Sequence, residues 1–224
     1  MDISRLNLLT YRPVGRYIAC MATDRELQAE STRNNILEIA AEEILRRGFQ
    51  SSSIGEIIKK ANISKGCFYH HFSTKKQLGY AVLDHSIEHV KNQIWMPMLT
   101  SEDPLNAIIN MFSNPEQYLD CERVKLGCPI NNLSQEMSPI DEGFRETIEI
   151  MYTDWKTHLS DSLKKCQDKG QMKNDVDAEE IATLIIAVTQ GASAIAKNAQ
   201  QPKSFSEYSH ALVKYLKYLQ LKST

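Results

Sequence analysis

The segment from Ser53 to Lys76, SIGEIIKKANISKGCFYHHFSTKK, most restricts how this chain folds. It holds two short apolar patterns of helical period with only a tight turn between them. Ile54, Ile57, Ile58 and Ala61 recur at i, i+3, i+4 and i+7, which makes one buried stripe. Ser53 and Glu56 have the spacing of a capping box at the start of that helix. Asn62 and Ile63 supply the turn, and a second short helix begins near Ser64. In it Phe68 and Phe72, four residues apart, point to the core. Lys65 with Tyr69, and Gly66 with His70, lie on the opposite side.

The outward side is cationic. From Lys59 through Lys76 the chain carries Lys59, Lys60, Lys65, Lys75 and Lys76 and no acid, although its 224 residues have a formal net charge of -2. The basic segment is therefore a local device, of the kind that binds phosphate. A helix that reads base edges must fit a major groove about 12 Å wide, so it must be slim where it meets the bases. Gly66 removes the side chain at that point, and the helix start presents amides to phosphate. Lys65 and Cys67 are the candidates for base edges. Tyr69, His70 and Lys75 are the candidates for positioning the phosphate backbone, with Ser53, Ser64 and Gly66 completing the set of DNA-contact candidates.

Helical punctuation recurs along the rest of the chain, and strand signals are almost absent. A first helix is expected over about 32–47, where Ile36/Leu37, Ala40/Ala41 and Ile44/Leu45 repeat every four residues. Gly48 follows at the left-handed C-terminal position, and Phe49 can fold back on the last turn. Thr74 with Gln77 forms a second capping box and opens a fourth helix toward Trp95, ended by Pro97. Asp103-Pro104 and Ser138-Pro139 each read as a cap followed by a first-turn proline, the latter opening a helix over about 139–168. Asp177 and Glu180 open a helix to about Ala199, and Ser204 with Glu207 open the last one, to about Leu221. The expectation is an all-α chain: a mobile, disordered arm over 1–30, a three-helix reader within 31–90, and a helical bundle over 91–224.

Several function classes lack support. The five cysteines, an odd number without a C-x-x-C pair, argue against a disulfide framework or zinc ribbon and for a reducing cytoplasm. No apolar run is read as reaching the roughly 20 residues that span a bilayer, and no membrane partner is expected. The arm is broken by Arg5, Arg12, Pro13, Gly15 and Arg16, unlike a signal peptide, and Met21 offers a second candidate start. His85 and His89 have metal-compatible spacing, but no carboxylate or cysteine completes a set, so neither metal nor cofactor is expected. Nothing resembles a triad, a phosphate-cradling loop or a buried carboxylate pair. An enzyme of small apolar substrates is the more distant alternative, and a nonspecific or architectural DNA-binding protein the nearer one.

The run TRNNILEIAAEEILRRGFQSSSIGEIIKKANISKGCFYHHFSTKKQL resembles the N-terminal domain of the TetR family of bacterial transcriptional regulators. The likeness rests on the first-helix alanines, Gly48-Phe49, the Ile63-Ser64-Lys65-Gly66 turn, and Tyr69-x-His71-Phe72 followed by Lys75 and Leu78. It implies a homodimer on a palindromic operator of double-stranded DNA, with a C-terminal pocket whose small-molecule effector releases the DNA, most simply as a repressor. Cys67 stands where the family usually has Ser or Thr, and Ile58 where Ala is common. Lys76 replaces a common Glu, which adds positive charge beside the phosphates.

In the light of that resemblance, soft and aromatic residues over 95–155 become effector-pocket candidates: Trp95, Met111, Phe112, Tyr118, Cys128, Met137, Tyr152 and Trp155. Taken singly, each also reads as core. Gly127-Cys128-Pro129-Ile130-Asn131-Asn132-Leu133 resembles a Gly-Cys-x-x-x-Asn-Leu pattern of a TetR subgroup. Cys128 is either a structural cysteine or a sensor of oxidants and electrophiles. Finally, IATLIIAVTQGASAIAKNA is apolar on more than one face, with Ala187, Gly191, Ala194 and Ala196 small enough for close helix approach. Such a helix must be covered, and the resemblance favours a twofold mate in a four-helix interface.

Overall fold

A computed structural model describes residues 24–221. Eleven α-helices make up the described chain: α1 Asp24–Arg47, α2 Ile54–Ala61, α3 Lys65–His71, α4 Lys75–Val90, α5 Met96–Leu99, α6 Pro104–Ser113, α7 Cys121–Val124, α8 Pro129–Met137, α9 Glu142–Asp168, α10 Ala178–Ala199 and α11 Lys203–Leu219. No strand occurs among the described residues; one isolated antiparallel bridge joins Met172 to Gln220 at the ends of α9 and α11. An N-terminal helix-turn-helix unit is thus followed by a helical bundle.

The four-residue apolar repeat of the first helix is buried as expected at Ile36, Leu37, Ala40, Ile44 and Leu45. That stripe packs α1 against α2 and α4. The helix begins at Asp24, however, so residues 24–30 of the expected arm are its first turns. Asp24 and Glu26 there complement the positive end of the helix dipole. The arm's earlier residues, its arginines and Met21 lie outside the described residues. Gly48 ends α1 at φ +84°, a conformation open to glycine, and its N–H donates to Ile44 O at 2.8 Å.

Other expectations about helix ends need correcting. Ser53 is the N-cap of α2, but its side chain accepts no bond, so the capping box with Glu56 does not form. Thr74 Oγ1 accepts from Gln77 N at 3.0 Å, while the returning bond reaches Ser73 N rather than Thr74 N. Pro97 does not stop the fourth helix. A π turn over Lys91–Trp95 widens the helix just before it, and the helix resumes as α5. A widened turn leaves room for the residue that has no N–H to give. Asp103 does cap α6, accepting from Asn106 N at 3.0 Å. Ser138 instead closes α8, and Asp141 opens α9 by accepting from Gly143 N and Phe144 N. Ser204 is buried within α11, whose N-cap is Pro202. Helices α7 and α8 were not anticipated: α8 rests on Pro129 at its first position and on the buried stripe Ile130, Leu133 and Met137.

Below the reader, α10 packs against α9 and α11, and α11 against α6. Trp95 stacks on Trp155 with centroids 4.2 Å apart and planes within 4°. Phe112 stacks on Phe205 at 5.8 Å. The first pair joins the π turn to the long α9, and the second joins α6 to α11. One length expectation also changes: α10, at 22 residues, has the length and composition to cross a bilayer, and only 28% of its apolar window is buried in the chain.

Candidate nucleic-acid interface

The turn between α2 and α3 is made by Asn62 in the left-handed region, φ 52° and ψ 47°, which Asn tolerates better than most residues. Its N–H returns to Lys59 O at 3.2 Å, and Ile63 N returns to Ile58 O at 3.3 Å. Ser64 then starts α3 and accepts the Cys67 amide at 3.1 Å, so that one of the amides expected to face phosphate is already used.

Helix α3 has two faces. Phe68 and Phe72 are 0% and 1% exposed, their rings 6.0 Å apart. On the other side Ser64, Lys65, Gly66, Tyr69 and His70 are exposed. The Lys65 ammonium lies 6.0 Å from the Tyr69 ring centroid, and Tyr69 packs edge-on against Phe68. Cys67 and Lys75 are half-buried, and Ser53 is exposed at the start of α2. Among the described residues an added Cβ at Gly66 would approach only Ser64 Oγ, at 3.9 Å, so none of them demands glycine there.

The five lysines of the basic run divide sharply. Lys60 bonds to Glu43, a carboxylate 1% exposed that also pairs with Arg47 at 2.8 Å. The Lys60 hydrogen bond, with the nearby arginines, holds the Glu43 carboxyl below its ordinary range despite burial. Lys76 pairs with Asp141 at 2.8 Å, so the extra positive charge expected beside phosphate is neutralised within the chain. Lys75 pairs with no acid among the described residues; it donates to the Gln50 carbonyl at 2.9 Å and lies 5.1 Å from the Phe49 ring centroid. Among the described residues Lys59 and Lys65 are paired with no carboxylate. Arg33 of α1, absent from the sequence expectations, lies 5.4 Å from the Phe72 ring centroid. It stands near His71, whose pKa is lowered by burial and then by His70 and Arg33. The i, i+3, i+4 and i+7 spacings used within α2 and α3 could not place a cation from α1 there.

The effector-pocket candidates are dispersed by comparison. Trp95, Met111, Phe112, Met137 and Trp155 are buried in the core, while Tyr118 is exposed. Tyr152 lines an open groove of about 360 Å³ with Ser134, Ser138, Arg145, Ile148 and Lys156. Burial pushes its hydroxyl up to about 12. Cys128 sits at the start of α8 against the core, and burial raises its thiol above the ordinary range. His85 and His89 lie one turn apart on α4, and no set of three potential metal ligands occurs among the described residues.

Two family descriptions match this chain: "Bacterial regulatory proteins, tetR family" over residues 36–82 and "Tetracyclin repressor-like, C-terminal domain" over residues 104–212. An uncharacterized HTH-type transcriptional regulator of Lactococcus lactis subsp. lactis is 30% identical over 181 residues, covering 76% of this chain and 85% of that one. This chain belongs to the TetR family. The HTH-type transcriptional repressor DhaR of Mycobacterium sp. (strain GP1) is 27% identical over 161 residues, covering 71% of this chain and 79% of the relative. The fold is shared with a TetR transcriptional regulator from Chloroflexus aurantiacus J-10-FL, TM-score 0.75 at 22% identity, over 88% of this chain and 100% of that one. The chain is therefore a DNA-binding, ligand-responsive transcriptional regulator, and α2 and α3 lie inside the matched N-terminal region.

Proposed function

We propose that this chain is a homodimeric repressor of a palindromic operator, released by a small apolar effector. The observation that carries the reading is the division of α3: two phenylalanines wholly buried behind it, and Lys65, Gly66, Tyr69 and His70 exposed in front. In this reading Lys65 and Cys67 meet base edges. Tyr69, His70 and Lys75 hold phosphates, and Ser53, Ser64 and Gly66 border the contact.

The mate is a second copy of the chain. Leu184, Ala187, Gly191 and Ala194 of α10 are exposed, as are Tyr208, Tyr215 and Tyr218 of α11. Among the described residues a Cβ added at Gly191 meets nothing within 4 Å, so its small size serves no contact there. Small and aromatic residues on adjacent helices suit a four-helix twofold interface. That interface, rather than lipid, covers the apolar face of α10.

The reader occupies 31–90 and the effector and dimerisation region 91–224. The effector parts the packed residues Trp95, Met111, Phe112, Met137 and Trp155, with Tyr118, Cys128 and Tyr152 at the margins. It acts by preferring one separation of the two α3 helices, since a ligand with equal affinity for both states shifts nothing. Half-sites one turn apart are about 34 Å from each other, so a movement of a few ångströms breaks the match. The chain performs no covalent chemistry in this reading, and its place is with the chromosome in the cytoplasm.

Selection of bound duplexes from a random-sequence library, with light scattering of the free protein, tests the proposal. An enriched inverted repeat and a dimer mass are expected. A monomer, or binding with no symmetric enrichment, favours a nonspecific DNA-binding protein instead.

A further inference from the structure

The short connection between α8 and α9 sends a carboxylate to each of two places in the reader. Glu136, the next-to-last residue of α8, accepts Phe49 N with Oε2 and Gln50 N with Oε1, both at 2.8 Å. Consecutive backbone amides after a left-handed glycine form a small anion-binding concavity. Gly48 leaves space for the carboxylate: a Cβ there would stand 3.0 Å from Glu136 Oε2 and 3.1 Å from Oε1. The location is notable because a carboxylate at the C-terminal end of α1 faces the negative end of the helix dipole. Stabilising α1 alone would not call for a negative charge there.

The link continues outward. The same Gln50 residue that donates its N–H to Glu136 accepts a bond from Lys75 Nζ on its carbonyl oxygen, at 2.9 Å. Glu136 is thus two hydrogen bonds from the lysine assigned to phosphate. Asp141, which opens α9, makes the second tie: Oδ1 accepts from Tyr80 Oη at 2.7 Å and Oδ2 pairs with Lys76 at 2.8 Å. Between the two carboxylates Phe144 packs on Phe49 and Tyr80, with ring centroids 5.4 and 4.9 Å away. Gly79 completes the fit, because an added Cβ would collide with the Phe49 ring. Both ends of the reader, the α1–α2 turn and the start of α4, are therefore fixed to one corner of the effector region.

We propose that Glu136 and Asp141 are positioning residues for operator binding, through which the α8–α9 corner sets the spacing of the two reading helices. The inference rests on the dimeric, palindrome-binding reading above and assigns it a mechanical route. Hydrogen bonds to a charged group are strong enough for the loss of one to change a binding ratio about tenfold.

The test uses the full-length protein and a duplex enriched by wild type, alongside the same duplex with one base pair inserted at its centre. Wild type discriminates strongly between them. In Glu136→Gln an amide N–H₂ opposes a backbone N–H, so the reader is freed to pivot. The expected result is a preference for the original spacing reduced about tenfold. Asp141→Asn is expected to act in the same direction through an independent contact, should the first variant fold poorly. A role in folding alone lowers binding to both duplexes equally, and an unchanged spacing ratio in both variants overturns the proposal. A wild-type protein that enriches no symmetric duplex overturns the operator reading itself, and this inference with it.

Discussion

Lys75 and Lys76 are adjacent, chemically identical, and predicted to behave oppositely toward DNA. Each is to be replaced by methionine, which keeps most of the aliphatic stem and removes the charge. Among the described residues Lys75 has no carboxylate partner, whereas the Lys76 ammonium lies 2.8 Å from Asp141. Each phosphate neutralised on B-DNA contributes about 0.9 to the slope of log K against log salt. A dimer carries two copies, so Lys75→Met should flatten the slope by about 1.8. From about 50 to about 200 mM salt, the affinity advantage of wild type over that variant should shrink about twelvefold. Lys76→Met should leave the slope within about 0.3 of wild type, because the cation it removes is already matched by an anion. Fluorescence anisotropy with a labelled duplex of arbitrary sequence measures both slopes without knowledge of the operator. Equal flattening in the two variants, or flattening only in Lys76→Met, would refute the assignment of charges on this face.

Gly191→Leu should leave the protomer's helical content unchanged, since nothing among the described residues lies within 4 Å of the added Cβ, and should lower the mass found by light scattering from dimer toward monomer. Phe72→Ala empties a site 1% exposed behind α3 and should cost about 3–5 kcal/mol in denaturant unfolding. Asp141 has its carboxyl lowered to about 2, first by the Lys76 hydrogen bond and then by that of Tyr80. A depressed acid contributes stability above its ordinary pKa and loses it as pH falls through the folded value. Asp141→Asn should therefore flatten the fall in melting temperature between about pH 4 and about pH 2. Iodoacetamide with peptide mass spectrometry should modify exposed Cys121 well before Cys128, whose thiol is raised by burial; the reverse order would revive Cys128 as a reactive sensor.

The parts of the fold legible in the sequence were those set by local periodicity. The stripe Ile36, Leu37, Ala40 and Ile44 and the pair Phe68/Phe72 are spaced by the helix repeat itself, and all are buried. Caps were less legible, because a serine or threonine at the right spacing is also compatible with other pairings. Ser53 makes no capping bond, and the bond that returns from Gln77 reaches Ser73. Pro97 was misleading for a further reason: a π turn absorbs a proline that an ordinary helix would not. What no local pattern holds is contact across sequence distance. Glu136 meets Phe49 from 87 positions away, and Asp141 meets Tyr80 from 61. For the same reason the basic run, read along the chain as five equivalent lysines, separates in three dimensions into cations committed to Glu43 and Asp141 and cations facing outward.

Helix α3 is expected to lie in the major groove, once per half-site. Methylation interference on an enriched duplex tests it directly, because guanine N7 lies in the major groove and adenine N3 in the minor groove. Interference is predicted at guanine N7 in two clusters, about one helical turn or a whole multiple apart. Interference confined to adenine N3, or a single cluster without a symmetric mate, would contradict the account.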